Sequence, residues 1–255
     1  SLISKTNELY EISSNYKSIC EKDYSSLTHI FIVGMFRSGS TLIESILSMN
    51  PNIYELGEVN TLEESFIEWK DNQAQNAESF LDLYLRKNKH VPISKSIITN
   101  KWLYNFQYTG LICKLIPNSK VIHCFRNPLD NILSILRANF PKGTEYSSSA
   151  SESAKLFLHQ HEIMKKYKEQ YLSQIFDLNY DLLVENPASE IPKLISWLGL
   201  EWNDLYLSPH LSKRSVSTAS HMQVRTPINS GSVGGWKNYT ELLQPAIDIL
   251  KISNI

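Results

Sequence analysis

Short apolar runs alternate with amphipathic stretches along most of the chain. Residues 29–35, His-Ile-Phe-Ile-Val-Gly-Met, form a continuous apolar run rich in β-branched residues, which is typical of a strand buried on both faces. Similar runs follow at Ser96–Thr99, Lys120–Phe125 and Gln174–Asn179. Helical periodicity predicts helices between these runs, at Leu42–Met49, Leu62–Trp69, Phe80–Leu85, Tyr104–Leu115, Leu129–Ala138 and Ala154–Tyr171.

This alternation predicts an α/β fold with a P-loop-type parallel sheet that is flanked by helices on both faces. Residues 1–28 carry apolar positions at helical spacing and are predicted to form one helix on the outside of the domain. Residues 29–255 are predicted to form a single α/β domain. The serine-rich stretch Glu145–Ser153 is predicted to be a mobile loop that divides no domains.

Composition narrows the classes of function. Twenty-five Lys and Arg against 26 Asp and Glu leave a formal charge of −1. A nucleic-acid binder is usually basic overall or carries a basic stripe, and this sequence shows neither. No apolar run reaches the roughly 20 residues that a membrane span needs. Cys20, Cys113 and Cys124 are too few and too scattered for a disulfide framework, which favours a reducing, cytoplasmic location.

The sharpest motif follows the first predicted strand and opens a helix. Residues 34–41 read Gly-Met-Phe-Arg-Ser-Gly-Ser-Thr, in a setting where backbone N–H groups and a helix N-terminus bind an anion. A nucleoside-triphosphatase loop has Lys where Ser40 stands, and no predicted strand here ends in a metal-binding Asp. A phosphate-binding loop without that Lys and its Mg²⁺ argues against γ-phosphoryl transfer.

A second cationic motif stands at the end of the predicted strand Lys120–Phe125. Arg126 follows this strand, and Ser134 lies two turns into the next helix. Ligands of open parallel sheets bind outside the carboxyl ends of the strands, so Arg37 and Arg126 are expected to line one crevice. Arg126 and a hydroxyl suit a second phosphate, although an ion pair between Arg126 and Asp130 is an alternative. Together the two motifs indicate a nucleotide with phosphates at both ends.

With these motifs the chain resembles the sulfotransferases that use adenosine 3′-phosphate 5′-phosphosulfate (PAPS). It is most similar to the bacterial branch often fused behind tetratricopeptide repeats, and to the related tyrosyl-protein sulfotransferases. The resemblance covers about residues 30–239. Val33–Thr41 matches the family motif for the 5′-phosphosulfate, and Arg126–Ser134 matches the motif for the 3′-phosphate. Two further stretches, Tyr180–Pro187 and Ser220–Asn229, also match.

The resemblance implies a role for each matched residue. Glu58 is implied as the base that takes the acceptor proton, and Lys101 as the cation that stabilises the sulfuryl group, with Ser220 and Arg37 as further catalytic groups. The implied donor-binding residues are Arg37, Ser38, Gly39, Ser40, Thr41, Arg126, Ser134, Tyr180, Gln223 and Asn229. One departure is that the family usually has Lys or Arg before its late Trp, where this chain has Gly235 before Trp236, so Lys237 is a candidate substitute.

The implied reaction is in-line transfer of a sulfuryl group from PAPS to a hydroxyl, without a metal, with adenosine 3′,5′-bisphosphate as the second product. Positioning and cations supply most of the catalysis in such transfers. Two alternatives stay open. One is a P-loop kinase-like phosphotransferase, and the other is a non-catalytic remnant that binds a nucleotide.

The acceptor is predicted from the charges that follow Glu58. In tyrosyl-protein sulfotransferases, arginines at this place hold acidic peptides, whereas this chain has Asn60 and Glu64, with Glu63 and Glu68 beside them. Such a rim repels an acidic peptide. The expected acceptor is therefore a small hydroxylated molecule, such as a sugar, a lipid headgroup or a phenolic metabolite.

Overall fold

Five parallel strands form one sheet in this computed structural model, which describes residues 2–16, 27–72, 79–92, 94–138, 140, 144–212 and 225–253. The strands are β1 (Thr28–Gly34), β2 (Ile53–Glu55), β3 (Ile97–Asn100), β4 (Ser119–Phe125) and β5 (Ile175–Asn179). Their order across the sheet is β2-β3-β1-β4-β5, and every neighbouring pair is parallel. The predicted α/β class and parallel sheet are confirmed.

Ten α-helices surround the sheet in the described part of the chain. They are α1 (Leu2–Asn15), α2 (Ser40–Leu47), α3 (Thr61–Asn72), α4 (Phe80–Lys87), α5 (Thr109–Leu115), α6 (Pro128–Leu136), α7 (Ala150–Gln170), α8 (Tyr180–Glu185), α9 (Pro187–Leu198) and α10 (Thr240–Ile252). Alternate residues of β1 enter two different cores because successive strand side chains point to opposite faces. Phe31 and Val33 pack with residues of α3, α4, α5 and α7, whereas Ile30 and Ile32 pack with α2 and α9.

The carboxyl ends of the parallel strands meet at one edge of the sheet, where ligands of open α/β sheets bind. The loop that contains Gly39 follows β1 at this edge, Arg126 follows β4, and Tyr180 follows β5. Lys101 follows β3 at the same edge. The topology therefore brings together residues that are far apart in the sequence.

Two predictions about local structure are wrong. The N-terminal helix ends at Asn15, and Thr28 already belongs to β1, so residues 1–28 are not one helix. The predicted mobile loop Glu145–Ser153 contains a 3₁₀ turn and the first turn of α7. The oxygen of Ser149 accepts a hydrogen bond from the N–H of Glu152 at 3.3 Å, which is the helix-capping pattern that the serine-rich composition obscured. The division at residue 28 stays a prediction.

The acid sensitivity of the fold is expected to come from His29 in β1. This side chain is 3% exposed and lies edge-on to the ring of Tyr84, at 5.8 Å between centroids. Burial lowers its pKa from 6.5 to about 4. The unfolded chain therefore binds the proton more readily, and acid destabilises the fold as the pH falls from about 6.5 to 4, by about 3 kcal/mol once the shift is converted.

Urea unfolding at several pH values between 7.5 and 4 tests this expectation. The His29→Phe variant keeps a ring beside Tyr84 but cannot titrate, so its free energy of unfolding should change less over this interval. An equal loss of stability in both proteins would assign the effect to other groups. Asp177 titrates below the pH interval of this experiment. Burial alone would raise its pKa, but His123 and Lys168 lower the pKa to about 2.

Candidate active site

Two glycines shape the loop between β1 and α2. Gly34 has φ +147°, and a Cβ there would lie 2.2 Å from the carbonyl oxygen of Cys124 in β4. Gly39 has φ +96°, and a Cβ there would lie 2.1 Å from the ring of Tyr180. Both positions require glycine because backbone and ring fill the space of a side chain. The loop therefore lies directly against the ends of β4 and β5.

The loop offers hydrogen-bond donors to an anion. The first N–H groups of α2 have no acceptor within the helix, as at any helix start. Ser38 is 1% exposed, and its hydroxyl has no hydrogen-bond partner among the described residues. Ser40 and Thr41 are also buried. These hydroxyl groups and the first N–H groups of α2 form a set of hydrogen-bond donors that fits a phosphate or sulfate group.

Arg37 and Arg126 line one cleft, as the two motifs predict. The Nε of Arg37 donates a hydrogen bond to the hydroxyl of Ser134 at 3.0 Å. Arg126 is 6% exposed, and its guanidinium lies 4.8 Å from the ring centroid of Tyr180. Its Nη2 donates to the carbonyl of Ser232 at 2.7 Å. Burial lowers the pKa of Arg37, and the positive charge of the neighbouring Arg126 lowers it further.

The alternative ion pair between Arg126 and Asp130 does not form. The carboxylate nearest to Arg126 is that of Asp181, with 3.7 Å between Nε and Oδ1. Asp130 instead accepts hydrogen bonds from the N–H groups of Gly234 at 2.7 Å and Trp236 at 2.9 Å. Asp130 thus holds the segment after Ser232 against the start of α6 and does not pair with Arg126.

Apolar side chains line the same cleft. They are Leu42 of α2 and Val184 of α8, together with Pro227 and Ile228. Asn229, predicted from the family motif, also lines the cleft and donates to the carbonyl of Pro227 at 3.0 Å. A cleft lined by both cations and apolar side chains suits a ligand that joins a flat base to anionic groups.

Glu58 and Lys101 meet beyond the ends of β2 and β3. The N–H of Leu56 donates to Thr99, and the N–H of Lys101 donates to the carbonyl of Gly57, each at 2.9 Å, so the chain after β2 stays beside β3. The Nζ of Lys101 lies 2.6 Å from Oε1 of Glu58. The Lys101 side chain is fully buried, whereas that of Glu58 is 34% exposed. Glu58 can therefore meet a molecule that arrives from solvent, and Lys101 lies behind it.

A second carboxylate lies beside Lys101 and was not predicted from the sequence. Glu44 of α2 is 2% exposed, and its Oε2 lies 3.9 Å from the Nζ of Lys101. Lys101 thus lies between a buried carboxylate and one that reaches solvent. The available signal was a charged residue inside the apolar helix Ser40–Leu47, a position that burial makes costly for an uncompensated charge.

Aromatic side chains connect the loop after β1 with the residues after Lys101. We call Phe36, Trp102, Tyr104, Phe140 and Tyr146 the aromatic cluster; all five are half-buried. The Phe36 ring lies 5.1 Å from Tyr104 and 5.3 Å from Phe140, and Tyr104 lies 5.6 Å from Trp102. The hydroxyls of Tyr104 and Tyr146 are 3.3 Å apart, and burial raises the pKa of both residues. The cluster carries no charge at neutral pH, and its member Trp102 directly follows Lys101 in the chain.

Some predicted site residues cannot be placed. Ser220 and Gln223 lie outside the described residues. Next to this cleft lies a second hollow, which is lined by Ser134 and Gly235 among other residues. Lys237 is exposed and does not line this hollow. Within the described ranges, no three His, Cys, Asp or Glu side chains are arranged to hold a metal ion. None of the helices in those ranges combines the length and the apolar character that a membrane crossing requires.

The model of the "Sulfotransferase family" matches residues 29–204 of this chain. An uncharacterized protein of Aquifex aeolicus (strain VF5) is 32% identical over 98% of the chain, and the match spans 36% of that protein's own length. A Caenorhabditis briggsae protein named "Putative protein-tyrosine sulfotransferase" is 26% identical over 81% of the chain and 80% of its own length.

Solved structures agree on the fold. The sulfotransferase domain of the Synechococcus PCC 7002 olefin synthase superposes with a TM-score of 0.62 at 16% identity, covering 94% of this chain and 99% of that domain. Mouse sulfotransferase SULT7A1 complexed with PAP superposes with a TM-score of 0.52 at 15% identity, covering 95% of this chain and 87% of that one. From the family match and the shared fold, we conclude that the chain belongs to the sulfotransferase family.

Proposed function

We propose that this protein transfers a sulfuryl group from PAPS to a hydroxyl of a small acceptor. The observation that carries the proposal is the cleft lined by Arg37, Ser134 and Arg126, beside a loop whose N–H and hydroxyl groups suit an anion and which has no Walker lysine. PAPS carries anionic groups at both its 5′ and 3′ positions, and two separate guanidinium groups suit them. The apolar side chains that line the cleft suit its adenine. The mouse structure with PAP supports the same class of ligand.

Residues of this site provide a role for each step of the proposed reaction. Glu58 accepts the proton of the acceptor hydroxyl, and the oxygen forms a bond to sulfur while the bond from sulfur to the 5′-phosphate oxygen breaks. The products are the sulfate ester and adenosine 3′,5′-bisphosphate. Arg37 and Lys101 stabilise negative charge on the leaving phosphate and on the sulfuryl oxygens. Ser220 is proposed as a further hydroxyl at this site.

Calorimetry with adenosine 3′,5′-bisphosphate and with ATP, each with and without Mg²⁺, tests the donor. The bisphosphate should bind without metal and should stabilise the fold by about 2.7 kcal/mol at a hundred times its Kd. EDTA should leave sulfuryl transfer unchanged. Tight Mg²⁺-dependent binding of ATP, with no binding of the bisphosphate, would instead favour the kinase-like alternative.

Substitution of the two arginines sharpens this test. Arg37→Ala and Arg126→Ala should each lose about 1.5–3 kcal/mol of bisphosphate affinity, the usual range for hydrogen bonds to charged groups. Arg86→Ala is the matched control, because Arg86 pairs with Glu68 outside the cleft. Unchanged affinity in the Arg37 and Arg126 variants would contradict the assignment of the cleft.

The aromatic cluster supports a neutral acceptor with an aromatic or apolar body. Its member Trp102 directly follows Lys101, and its rings carry no charge at neutral pH. The acidic residues after Glu58 are a weaker argument against an acidic peptide than the sequence indicates, because cations partly neutralise them. Glu63 pairs with Lys5, and Glu68 pairs with Arg86 and Lys87. We therefore propose a small phenol or alcohol as the acceptor. A phenolic hydroxyl is also what the name of the C. briggsae relative implies for that protein.

A screen under saturating PAPS tests the acceptor. It compares small phenols, aliphatic alcohols and sugars with acidic and neutral tyrosine peptides. Small phenols should be sulfated with the highest kcat/KM, and Phe36→Ala should raise their KM by about tenfold, as expected when an aromatic contact and its buried area are lost. Preferential sulfation of acidic peptides would show the acceptor proposal to be wrong while leaving the donor assignment intact.

A further inference from the structure

A hollow of about 440 Å³ lies at the amino ends of β1 and β3, and we call it the amino-edge hollow. The cleft lined by Arg37 and Arg126, the donor cleft, lies at the opposite edge of the sheet and shares none of the described lining residues with it. Apolar side chains line the hollow, among them Leu85, Val91 and Ile98. Its volume is within the range of small-molecule pockets, roughly 300–1,000 Å³.

Two buried polar side chains that line this hollow lack hydrogen-bond partners. His29 of β1 and Asn88, which directly follows α4, are each 3% exposed. Within the described residues, Nδ1 of His29 and Oδ1 of Asn88 make no hydrogen bond. Buried polar groups of folded proteins are nearly always hydrogen-bonded, so two such atoms at one hollow indicate a partner that the hollow receives from outside.

The two side chains restrict the chemistry of that partner. The Nδ2 of Asn88 donates to the carbonyl of Tyr84 at 2.8 Å, which fixes the orientation of the amide and leaves Oδ1 as an acceptor. Burial lowers the pKa of His29 to about 4, so at neutral pH its ring is uncharged and has one donor and one acceptor. The partner must therefore bring an N–H or O–H group, which a carboxylate lacks.

The charge of the lining disfavours a cation. Lys95 is the charged residue among the described residues that line the hollow, and its ammonium group donates to the carbonyl of Pro51. No Asp or Glu belongs to this described lining. A cationic ligand would thus lose water without gaining a counter-charge.

We propose that the amino-edge hollow is a second ligand site, which binds a small neutral molecule with an apolar body and an amide or hydroxyl group. The amide or hydroxyl donates to Oδ1 of Asn88 and pairs with the ring of His29, while the apolar body packs against side chains such as Leu85 and Ile98. The site lies at the other edge of the sheet from the donor cleft, so it does not depend on the proposed function.

NMR titration of the ¹⁵N-labelled protein with benzamide and with benzoate tests the site. The two probes share a ring, but benzamide has N–H donors and benzoate only accepts. Benzamide should shift the resonances of His29 and Asn88 and saturate with a Kd in the millimolar range, as expected for a ligand of this size. Benzoate should bind about tenfold more weakly, the effect of one hydrogen bond.

Variants locate the binding. His29→Phe keeps a ring without nitrogens and should weaken benzamide about fivefold to tenfold. Val91→Trp and Ser94→Trp start from half-buried and exposed positions, should fill the hollow, and should each abolish the shifts. Phe36→Ala, in the aromatic cluster, is the control and should bind benzamide as the wild type does.

Each contrary outcome overturns a stated part of the proposal. If benzamide shifts no resonance up to its solubility limit, water alone satisfies His29 and Asn88, and the site is rejected. Equal binding of benzoate would reject the ligand class. Unchanged binding in both tryptophan variants, or loss of binding in Phe36→Ala, would place benzamide elsewhere and reject the site. Dispersed amide resonances show which variants are folded, and two filling variants are used so that one misfolded protein does not decide the result.

Discussion

Glu58→Gln should lower the turnover number by about 10²- to 10⁴-fold, the range for loss of a general base. Its affinity for adenosine 3′,5′-bisphosphate should stay within twofold of wild type. The two effects separate because Glu58 contacts Lys101 at 2.6 Å and does not line the donor cleft. Gln keeps the shape of the side chain and a hydrogen-bond acceptor for Lys101, but it cannot accept a proton from the acceptor hydroxyl.

The measurement is steady-state sulfuryl transfer combined with calorimetry on the same protein. Glu185→Gln at the end of α8 makes the same chemical change at an exposed position and should behave as the wild type does. Turnover within tenfold of wild type would assign the base to another group.

Lys101→Met should reduce turnover by about 10²- to 10³-fold, as when a hydrogen-bond donor to developing negative charge is removed. Binding of adenosine 3′,5′-bisphosphate should change little, because this product lacks the sulfuryl group that Lys101 is proposed to contact. The variant should also be less stable by about 3 kcal/mol, the lower end of the range for breaking a buried ion pair. The cause is the Glu44 carboxylate, 2% exposed, which loses the cation beside it.

A double variant distinguishes the two effects of Lys101. Adding Glu44→Gln to Lys101→Met removes the buried charge, so the free energy of unfolding in urea should recover while turnover stays low. Full recovery of turnover with stability would mean that Lys101 acts only through the fold. A parallel loss of bisphosphate affinity in Lys101→Met would contradict its placement at the sulfuryl group.

The strand–loop–helix unit around residues 34–41 could be predicted because its signals are local. An apolar run buried on both faces, two glycines and a helix start lie within a short stretch, and each signal acts on neighbouring residues. Arg126 at the end of β4 could be predicted for the same reason. The general rule for parallel sheets then placed Arg37 and Arg126 at one edge, and the structure has both in one cleft.

Other elements were missed because their stability comes from distant contacts. Strand β2 has only three residues, Ile53–Glu55, and exists through its pairing with β3. Helices α9 and α10 contain Pro192 and Pro245, which locally indicate a helix break. Both helices are held by apolar residues such as Leu194 and Leu243, which pack into the cores.

By itself, the sequence determined the class of fold, the strand–loop–helix unit at residues 34–41 and the resemblance to sulfotransferases, because these depend on periodicity and on contiguous motifs. The tertiary structure alone decided which charges meet. Pairing of β2 with β3 brings Glu58 to Lys101, and packing of α2 against the sheet adds Glu44 beside Lys101. Electrostatic contacts of this kind depend on distances between residues far apart in the chain, and only the folded backbone sets those distances.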